Sequence, residues 1–501
     1  MSEQVLDDSP TTLPPGESGS PAANPPRSIF RGEPGAWRQV SEFLILLVAG
    51  ILVLRYFVAE AYVVPTGSMA PTILGFHSEL DCPNCQDRFS VGIDEEGLPA
   101  GRPVCPNCGH DGFDPALGIE ASGDRLLVQK FLFDFRRPRR WEVAVFQSPI
   151  EPAQAYVKRV VGLPGEAVLI VHGDVWIDGK IARKSIEEVR AMKIPVFDNR
   201  YQAKDAARFP RWAFRGDRSK RFSATGWRAS EANFVHEATS PSDSGEDWLE
   251  YQHWDPDRSQ YGPIRDSYPY NGGGRHGSHV VRDLVFECKL TVRDDVESVQ
   301  VRVVHGADTF LISLPVDEKG SVEVRRNRRF LDLSRASGGL RPSPSTNPKW
   351  DSVEVAVVDR RVSATLNGVP LFDPIDYEAS GVPALSTAGP VALGVVNGSL
   401  EVKDLRLFRD IYYTGELESG VRKPAGVNEP FKLRDEEYFV LGDNSPVSND
   451  SRFWDDRPVV RQSQFLGKPF LVHLPGQAYG VRIFGRELGW IPDFREIRYI
   501  R

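Results

Sequence analysis

The stretch AYVKRVVGLPGE, residues 155 to 166, predicts a β-strand that ends in a turn. Tyrosine and the β-branched valines favour strands, and Leu-Pro-Gly is typical of a turn. Lys158 stands among these apolar residues. Burial would lower the pKa of its amine, and an amine that is neutral near pH 7 can act as a general base. The pattern alone favours an ordinary exposed lysine on the strand, so a more specific observation is needed to assign Lys158 as a base.

A second stretch, VPTGSMAP at residues 64 to 71, offers a nucleophile. The hydroxyl of Ser68 becomes reactive only when a base takes its proton. None of the nine histidines lies in a stretch that resembles a triad partner, and the G-x-S-x-G motif is absent. A Ser–His–Asp triad therefore has no support in the sequence, although spacing alone leaves it open, and Lys158 is a second candidate for the base.

Length and composition set the broad class. A chain of 501 residues predicts two to four domains, and 41% hydrophobic with 26% charged residues fits a globular protein. The net charge of −8 and the scattered lysines and arginines argue against nucleic acid as a partner.

The N-terminal region predicts a tail followed by a membrane anchor. Residues 1–35 are rich in proline and polar residues and are expected to be disordered. Residues 36–60 predict a transmembrane helix, since residues 43–59 are uncharged apart from Arg55, which can snorkel to the interface. A cleaved signal peptide and a buried core helix are the alternatives. The arginines before the span place the N-terminus in the cytoplasm and the rest of the chain on the extracytoplasmic side.

Five segments in order resemble the type I signal peptidases, membrane-anchored serine proteases that remove signal peptides from exported proteins. They are YVVPTGSMAPTIL after the apolar span, GDRLLVQKFLF at 123–133, RRWEVAVFQSP at 139–149, YVKRVVGLPGE, and YFVLGDNSPVSNDSRFW at 438–454. GKPFLVHLP at 467–475 and PDFREIRYIR at 492–501 are similar to that family too. The resemblance covers about a third of the chain, and its five motifs in one order make it specific.

The resemblance implies a Ser–Lys dyad that needs no cofactor. Ser68 matches the nucleophile and Lys158 the general base. Thr66 matches the residue whose hydroxyl forms the oxyanion hole with the Ser68 N–H. Such donors stabilise charge that develops only in the transition state. Small apolar pockets, with Ile73 and Val145 as candidate lining residues, would select small residues before the cut.

The resemblance also implies a supporting loop. Ser448 matches the serine that orients the lysine amine, and Asp450 and Arg452 match a pair that holds the loop against the dyad. Residues 445–447, Ser-Pro-Val, replace the more frequent Arg-Asp-Asn, which puts the fine positioning of this loop in question. The remaining departures are Thr66 for serine, Trp141-Glu142 for Gly-Asp, and Glu166 for aspartate.

A first insertion carries a metal-binding pattern. Four of the five cysteines form two C-P-N-C pairs in a C-x2-C-x19-C-x2-C arrangement: Cys82, Cys85, Cys105 and Cys108. This spacing predicts a zinc ribbon with a structural zinc ion held by four thiolates. Two disulfides are the alternative for an extracytoplasmic segment. Cys288 is predicted to be a buried free thiol.

A second insertion predicts an antiparallel β-sandwich. From residue 279 onward, short alternating strands are separated by turn residues. Residues 350–372 and 392–408 resemble the concanavalin-like, laminin-G-type sandwiches. Such domains bind glycans or proteins, or have only a structural role. The aromatic residues Trp227, Trp248, Trp254 and Tyr270 are expected to be exposed and to stack on a ligand, or else to pack under loops.

The sequence therefore predicts a mostly β protein with a discontinuous catalytic domain. The expected segments are the tail 1–35, the transmembrane helix 36–60, catalytic parts 61–75, 119–190 and 411–501, the zinc ribbon 76–118 and the β-sandwich region 191–410. The expected function is signal peptidase I, acting on preproteins at the plasma membrane, with a glycan or an envelope protein as a further candidate partner. The alternatives are a membrane-tethered binding protein with a vestigial protease core, and a self-cleaving regulator, for which no DNA-binding domain is visible.

Overall fold

A computed structural model describes residues 35–501 except for short gaps. The gaps are residues 58, 95–96, 100, 115–117, 206–209, 216–224, 231–232, 239–245, 256–257, 259, 273–278, 294, 318–319, 337, 345–347, 381–388, 416–423, 455–456, 475–477, 484–485, 493–496 and 501. For residue 36 and residues 52–59 and 475–496, only the backbone of the described residues is considered. The predicted tail, residues 1–35, lies outside the described residues apart from Gly35.

Helices are few in the described part of the chain. They are α1 Ala36–Phe57, α2 Leu132–Phe135 and α3 Ile186–Met192. Helix α3 begins at a capping box, in which Ser185 and Glu188 each bond the backbone N–H of the other. Among the described residues, no helix has both the length and the apolar character that crossing a bilayer requires. The predicted transmembrane helix is thus not supported, although α1 covers most of the predicted range.

Strand is the predominant regular structure of the described chain, as predicted. The strands before the sandwich region are β1 Ala59–Val63, β2 His77–Asp81, β3 Arg88–Gly92, β4 Ile119–Ala121, β5 Arg125–Gln129, β6 Val143–Gln147, β7 Ala155–Gly162, β8 Ala167–Val171, β9 Asp174–Ile177 and β10 Lys180–Ile181. The next are β11 Ile194–Asp198, β12 Trp212–Arg215, β13 Trp227–Ser230, β14 Asn233–His236, β15 Glu246–Tyr251, β16 Trp254–Asp255, β17 Gln260–Tyr261, β18 Leu284–Val292, β19 Ser298–His305, β20 Asp308–Pro315, β21 Glu323–Arg326, β22 Arg329–Phe330, β23 Asp351–Val358, β24 Arg361–Leu366, β25 Val369–Pro370, β26 Ile375–Asp376, β27 Val391–Val396 and β28 Leu400–Arg409. The last are β29 Phe431–Lys432, β30 Glu437–Leu441, β31 Val460–Arg461, β32 Phe465–Leu474, β33 Ala478–Ile483, β34 Arg486–Pro492 and β35 Arg498–Tyr499.

One antiparallel sheet brings together the distant segments that carry the family motifs. Its order is β1-β5-β32-β6-β7-β30-β31, with β35 added beside β32. Strand β7 pairs with β6 along its first part and with β30 from Arg159 onward. Lys158 is thus paired with β6 at the point where the pairing with β30 begins, and its side chain is buried. A second small sheet, β10-β9-β8-β29, packs its apolar residues against the β30 side of this region.

The long insertion folds into two antiparallel sheets around one core. The first has the order β13-β14-β28-β18-β23-β24-β25, with β11 beside β28 and β26 beside β24, and the second has the order β12-β15-β27-β19-β20-β21-β22. Strand β28 is an example of how the two sheets form their common core. Its apolar side chains, Leu400, Val402, Leu405 and Leu407, point into the core, and charged residues lie between them in the sequence. Such alternation is typical of a sheet with one buried face.

The aromatic residues that the sequence predicts to be exposed are mostly buried. Trp227, Trp248 and Tyr270 are 4%, 8% and 4% exposed, and Trp254 is intermediate. The expected exposure was wrong for these three residues, and the alternative of packing holds: the rings lie under neighbouring strands and loops, where removing a large apolar surface from water is favourable. Cys288 is buried and unbonded, as predicted.

A buried ion-pair cluster joins the segment after β10 to the inserted sheets. The ammonium of Lys184 lies 2.9 Å from Asp359 and 2.8 Å from Asp410, and all three side chains are almost fully buried. The same ammonium lies 4.7 Å from the centroid of the Trp141 ring. Breaking such a pair is costly because the remaining charges stay buried without a partner.

Replacing Lys184 should therefore destabilise the protein strongly. We expect Lys184→Ala to lower the free energy of unfolding by about 3–5 kcal/mol, measured by urea denaturation. The matched control is Arg228→Ala, which removes an exposed pair with Glu237 and should cost less than about 1 kcal/mol. Equal losses of unfolding free energy for the two variants would show that the buried Lys184 cluster contributes no more to stability than an exposed ion pair.

Candidate active site

Ser68 lies on a short turn at the edge of the large sheet. The 3₁₀ turn Gly67–Met69 follows Thr66, whose backbone is extended. Met69 is fully buried and belongs to the same apolar cluster as Ile73, so the turn is anchored from its C-terminal side. The Ser68 hydroxyl is consequently held by packing, and the side chain is 8% exposed.

The amine of Lys158 contacts the hydroxyl of Ser68 directly. The distance between Nζ and Oγ is 2.5 Å, although the two residues are 90 positions apart in the chain. Lys158 is 4% exposed, and burial lowers the pKa of its ammonium to about 8, with the nearby Arg452 lowering it further and Asp450 and Asp443 opposing the shift. About a tenth of the amine is therefore neutral at pH 7, far more than for an exposed lysine, and this form can accept the proton of Ser68.

Arg159, next in the strand, forms a buried ion pair that the sequence analysis missed. Its guanidinium donates to both carboxylate oxygens of Asp443, at 2.7 and 2.5 Å, and to the Trp141 carbonyl at 2.7 Å. Thr72 also donates to Asp443, at 2.5 Å. Side chains of neighbouring residues in a strand point to opposite faces, so those of Lys158 and Arg159 lie on opposite faces of β7. The sequence offered one signal for this pair, the Lys-Arg dipeptide within an apolar strand. If both cations are buried, the arginine needs a buried carboxylate as its partner.

The loop after β30 is held by a second buried pair. The Arg452 guanidinium donates to the Asp450 carboxylate at 2.8 and 2.7 Å, and both side chains are inaccessible to solvent. Asp450 also accepts from the backbone N–H of Gly442 at 2.9 Å. The unusual Ser445 fits this arrangement, since its hydroxyl oxygen accepts from Arg452 at 2.7 Å and from the N–H of Thr414 at 2.9 Å. The departure at residues 445–447 thus leaves the loop well connected.

Ser448 lies close to the dyad without a hydrogen-bond partner among the described residues. Its side chain is fully buried, and its hydroxyl makes no hydrogen bond within the part of the chain that is described. A Cβ added to Gly442 would lie 2.1 Å from this hydroxyl and 2.4 Å from the Ser68 carbonyl. The glycine is therefore required for the close approach of the loop to the nucleophile turn.

A groove of about 360 Å³ opens beside the dyad. It is lined by residues 62–68 on one side and 154–158 on the other, with Val447 and Asn449 contributing. Thr66 is exposed in this groove, and Val145 forms part of its wall. Ile73, the other predicted lining residue, is instead fully buried in the core beneath.

The other departures from the family pattern have identifiable contacts. Trp141 has a φ of 67°, in the left-handed region that glycine occupies more easily. Glu142 pairs with Arg136 at 2.7 Å. Glu166 accepts from the N–H of Leu163 at 2.7 Å, which closes the turn after β7. The longer glutamates thus reach partners of their own.

The four cysteines of the first insertion converge on one point. Their sulphur atoms all lie within 4.8 Å of one another, and no pair is bonded. The Sγ atoms of Cys82 and Cys108 are 3.5 Å apart and those of Cys85 and Cys105 are 3.6 Å apart, well beyond the roughly 2 Å of a disulfide. The two turns are equivalent, since the N–H groups of Gln86 and Gly109 bond the carbonyls of the first cysteines.

Comparisons with known proteins agree with the motif order. The family model for signal peptidase, peptidase S26, matches residues 119–221 and 366–474. These ranges contain Lys158, Ser448, Asp450 and Arg452, whereas Ser68 precedes them.

Two curated relatives come from Synechocystis sp. (strain ATCC 27184 / PCC 6803 / Kazusa). Probable signal peptidase I-1 is 26% identical over 157 residues, covering 29% of this chain and 56% of the relative. Probable signal peptidase I-2 is 24% identical over 177 residues, covering 33% of this chain and 58% of the relative. The chain thus spans somewhat more than half the length of these relatives. Together with the family match, they support a serine endopeptidase of the signal peptidase type.

A solved structure with some likeness is the carbohydrate-binding module CBM66 from Bacillus subtilis. It is 10% identical, with a TM-score of 0.24, and the alignment covers 39% of this chain and 94% of that protein. A likeness at this level carries no conclusion about the ligand or the fold.

The buried ammonium predicts that Lys158 lowers stability at neutral pH. A lysine whose pKa is about 8 in the folded state and about 10.5 in the unfolded state binds fewer protons when folded, so stability rises between these two pH values. We expect Lys158→Met to raise the free energy of unfolding at pH 7 by up to about 3 kcal/mol, with a smaller gain near pH 10.

Urea denaturation at several pH values measures this gain. The exposed Lys432, whose side chain is 68% exposed, provides the control variant Lys432→Met, which should change stability little at any pH. A gain for Lys158→Met that does not shrink on going from pH 7 to pH 10 would contradict a depressed pKa.

Proposed function

We propose that the protein is a signal peptidase I, a serine endopeptidase that removes N-terminal signal peptides from exported preproteins. The observation that carries the proposal is the buried Lys158 amine, 2.5 Å from the Ser68 hydroxyl. A vestigial protease core would have no need to keep a buried amine in contact with a serine, because burying an ammonium costs stability.

The dyad can perform both halves of the reaction. The Lys158 amine takes the proton of Ser68 while Oγ attacks the scissile carbonyl carbon. Collapse of the tetrahedral intermediate breaks the C–N bond, and the Lys158 ammonium returns the proton to the leaving amine. Lys158 then takes a proton from water, which attacks the ester carbonyl carbon on Ser68. Collapse of this second intermediate breaks the ester C–O bond, the Lys158 ammonium returns the proton to the Ser68 Oγ, and the signal peptide leaves with a free carboxyl end. No cofactor enters these steps.

Thr66 and Ser448 are proposed to support this chemistry. The exposed Thr66 hydroxyl lines the groove and would bind the oxyanion together with the Ser68 N–H. The buried Ser448 hydroxyl has no other hydrogen-bond partner among the described residues, so it is free to bond the Lys158 amine as the proton moves. Asp450 and Arg452 would keep this loop in place.

The groove suits an extended peptide with small side chains. Residues 155–158 of β7 pair with β6 on one edge, and β30 begins its pairing only at Arg159. Within the described residues, the other edge of this segment faces the groove, where a substrate strand could add to the sheet. Leu126 and Val145 contribute apolar surface to the groove that also contains Ser68, which suits small apolar side chains of a substrate.

Membrane attachment through α1 completes the proposal. The described side chains of this helix are exposed, and most are large and apolar: Trp37, Val40, Phe43, Leu44, Ile45, Leu46, Leu47, Val48 and Ile51. A contiguous apolar surface of this kind favours a lipid environment. We infer a single anchor in the plasma membrane, with the N-terminus in the cytoplasm and the catalytic sheet on the extracytoplasmic side, where preproteins emerge.

The first insertion is proposed to hold one structural zinc ion. Four converging thiols fit tetrahedral zinc, because sulphur atoms about 2.3 Å from a common centre lie roughly 3.8 Å apart. Asn84 donates to the Cys108 sulphur at 3.6 Å, a contact that suits a thiolate. Since all four positions are taken by cysteines, the ion would stabilise this segment rather than act on substrate.

Zinc content tests this assignment. We expect about one zinc ion per chain when the metal content of the purified protein is measured by inductively coupled plasma mass spectrometry. Cys105→Ser should lose that zinc and have a lower melting temperature. Cys288→Ser is the matched control, because this thiol lies in the sandwich core, and its zinc content should be unchanged. Zinc-free protein with two disulfides would instead favour the oxidised alternative.

Glycan binding by the inserted sheets is a further candidate role. A groove of about 980 Å³ is lined by polar side chains and by Trp248. The Arg302 guanidinium lies over the Trp248 ring at 4.9 Å, however, and occupies the face on which a sugar would stack. The geometry thus favours the protease as the principal function.

Cleavage of a preprotein tests the proposed function. Purified protein in detergent or lipid should cut after a small residue, and Ser68→Ala and Lys158→Ala should each lose activity by at least about 1000-fold while remaining folded. The rate of the wild type should rise with pH up to about 8, since the free amine is the base. The control Lys432→Ala should retain full activity. Retained cleavage in Ser68→Ala would contradict the dyad.

A further inference from the structure

The inserted β-sandwich region reaches back to the nucleophile turn. Between β17 and β18, residues Pro269–Asn271 form a 3₁₀ turn that packs against β3 and against Gly67. Asn271 is 5% exposed although it belongs to an insertion absent from the family pattern. A buried amide so close to a catalytic turn must find hydrogen-bond partners there.

Asn271 pairs with Asn444 through both amide groups. The Asn271 Nδ2 donates to Asn444 Oδ1 at 2.8 Å, and the Asn444 Nδ2 donates to Asn271 Oδ1 at 2.7 Å. Each amide group has one carbonyl and two N–H donors, so this reciprocal pair fixes the orientation of both side chains. The orientation of Asn444 is thereby set from the insertion.

Asn444 in turn holds the two backbone carbonyls that flank the nucleophile. Its second Nδ2 hydrogen is donated to the Gly67 carbonyl at 3.0 Å, and its backbone N–H is donated to the Ser68 carbonyl at 3.0 Å. These bonds fix the backbone from which the Ser68 side chain projects toward Lys158. A chain of three hydrogen-bonded groups thus runs from the insertion to the nucleophile.

Tyr270, the residue before Asn271, also packs against the nucleophile turn. Its hydroxyl donates to the Phe76 carbonyl at 2.9 Å, and a Cβ added to Gly67 would lie 2.1 Å from its ring. The ring of Tyr268 stacks on that of Tyr270, with 6.0 Å between centroids and 11° between planes. The nucleophile turn is therefore wedged between the insertion and the core.

We propose that Asn271 is a positioning residue for Ser68, so that the inserted domain completes the active site of the protease. The inference rests on the proposed function and deepens it. Asn271 touches neither the substrate nor the reacting atoms, and it acts through the orientation of Asn444. In this arrangement the insertion is part of the catalytic apparatus and not only an appended binding domain.

Kinetics of Asn271→Ala and Asn271→Asp test the proposal on the full chain. Alanine removes both bonds to Asn444, and we expect kcat to fall up to about 100-fold while KM stays within about twofold, because misplacement of a nucleophile affects the chemical step. Aspartate still accepts from the Asn444 Nδ2 but sets a carboxylate oxygen against the Asn444 Oδ1, so it should not restore activity, because the reciprocal pair needs the donor on residue 271. The control Asn233→Ala removes a partly buried asparagine elsewhere in the insertion, where it donates to Glu401, and should keep wild-type kcat.

A second measurement separates this inference from the proposed function. The titration midpoint of the Lys158 ammonium, followed by ¹⁵N NMR, should move upward from about 8 in Asn271→Ala, since a loosened turn admits water. Wild-type kcat and an unchanged midpoint in Asn271→Ala would overturn the inference, as would an equal fall in kcat for Asn233→Ala. If the wild type cleaves no preprotein, the proposed function fails and the midpoint alone decides the role of Asn271.

Discussion

The close contact between a buried amine and a serine hydroxyl is the constraint around which this structure is arranged. An ammonium inside a protein is unfavourable, so the Lys158 amine shifts toward its neutral form, with its pKa near 8. The shift stays modest because Asp450 and Asp443 partly offset the effect of burial. Asp450 is itself neutralised by Arg452, and Asp443 by Arg159, so each buried charge near the dyad has a paired counter-charge. The amine of the dyad thus lies among buried side chains that are joined in ion pairs.

Much of the site followed from the sequence because its chemistry is local. The apolar residues around Lys158 predict a strand, and that strand lies inside the sheet, which excludes the exposed alternative. The two C-P-N-C turns likewise predict converging thiols, because each turn is closed by its own backbone hydrogen bonds. The local structure of these residues depends on their neighbours in the sequence. That the motifs belong to one site was inferred from their order along the chain.

What the sequence did not reveal depends on long-range packing. The partner of Arg159 is 284 positions away, and the partner of Asn444 lies in an insertion that no motif links to the dyad. The aromatic residues of the insertion were misjudged for the same reason. Trp227 and Trp248 occur in polar, weakly periodic sequence. Their side chains become buried only when the strands that carry them pair with neighbouring strands of the sheets. Composition describes a segment, whereas burial depends on what packs against it.

Among the described residues, two of the buried polar contacts between the insertion and the region that carries the dyad differ in what they can do. The cluster of Lys184, Asp359 and Asp410 joins charged groups across the boundary and resists separation, since each group left behind would be an unpaired buried charge. The pair of Asn271 and Asn444 is neutral, so it contributes less to holding the parts together, but an amide pair has a fixed geometry and therefore specifies orientation. The first contact keeps the insertion in place, and that stability allows the second to set the position of Ser68. An insertion attached only by flexible segments could not do this. Its attachment by buried charges is what makes it a plausible support for catalysis.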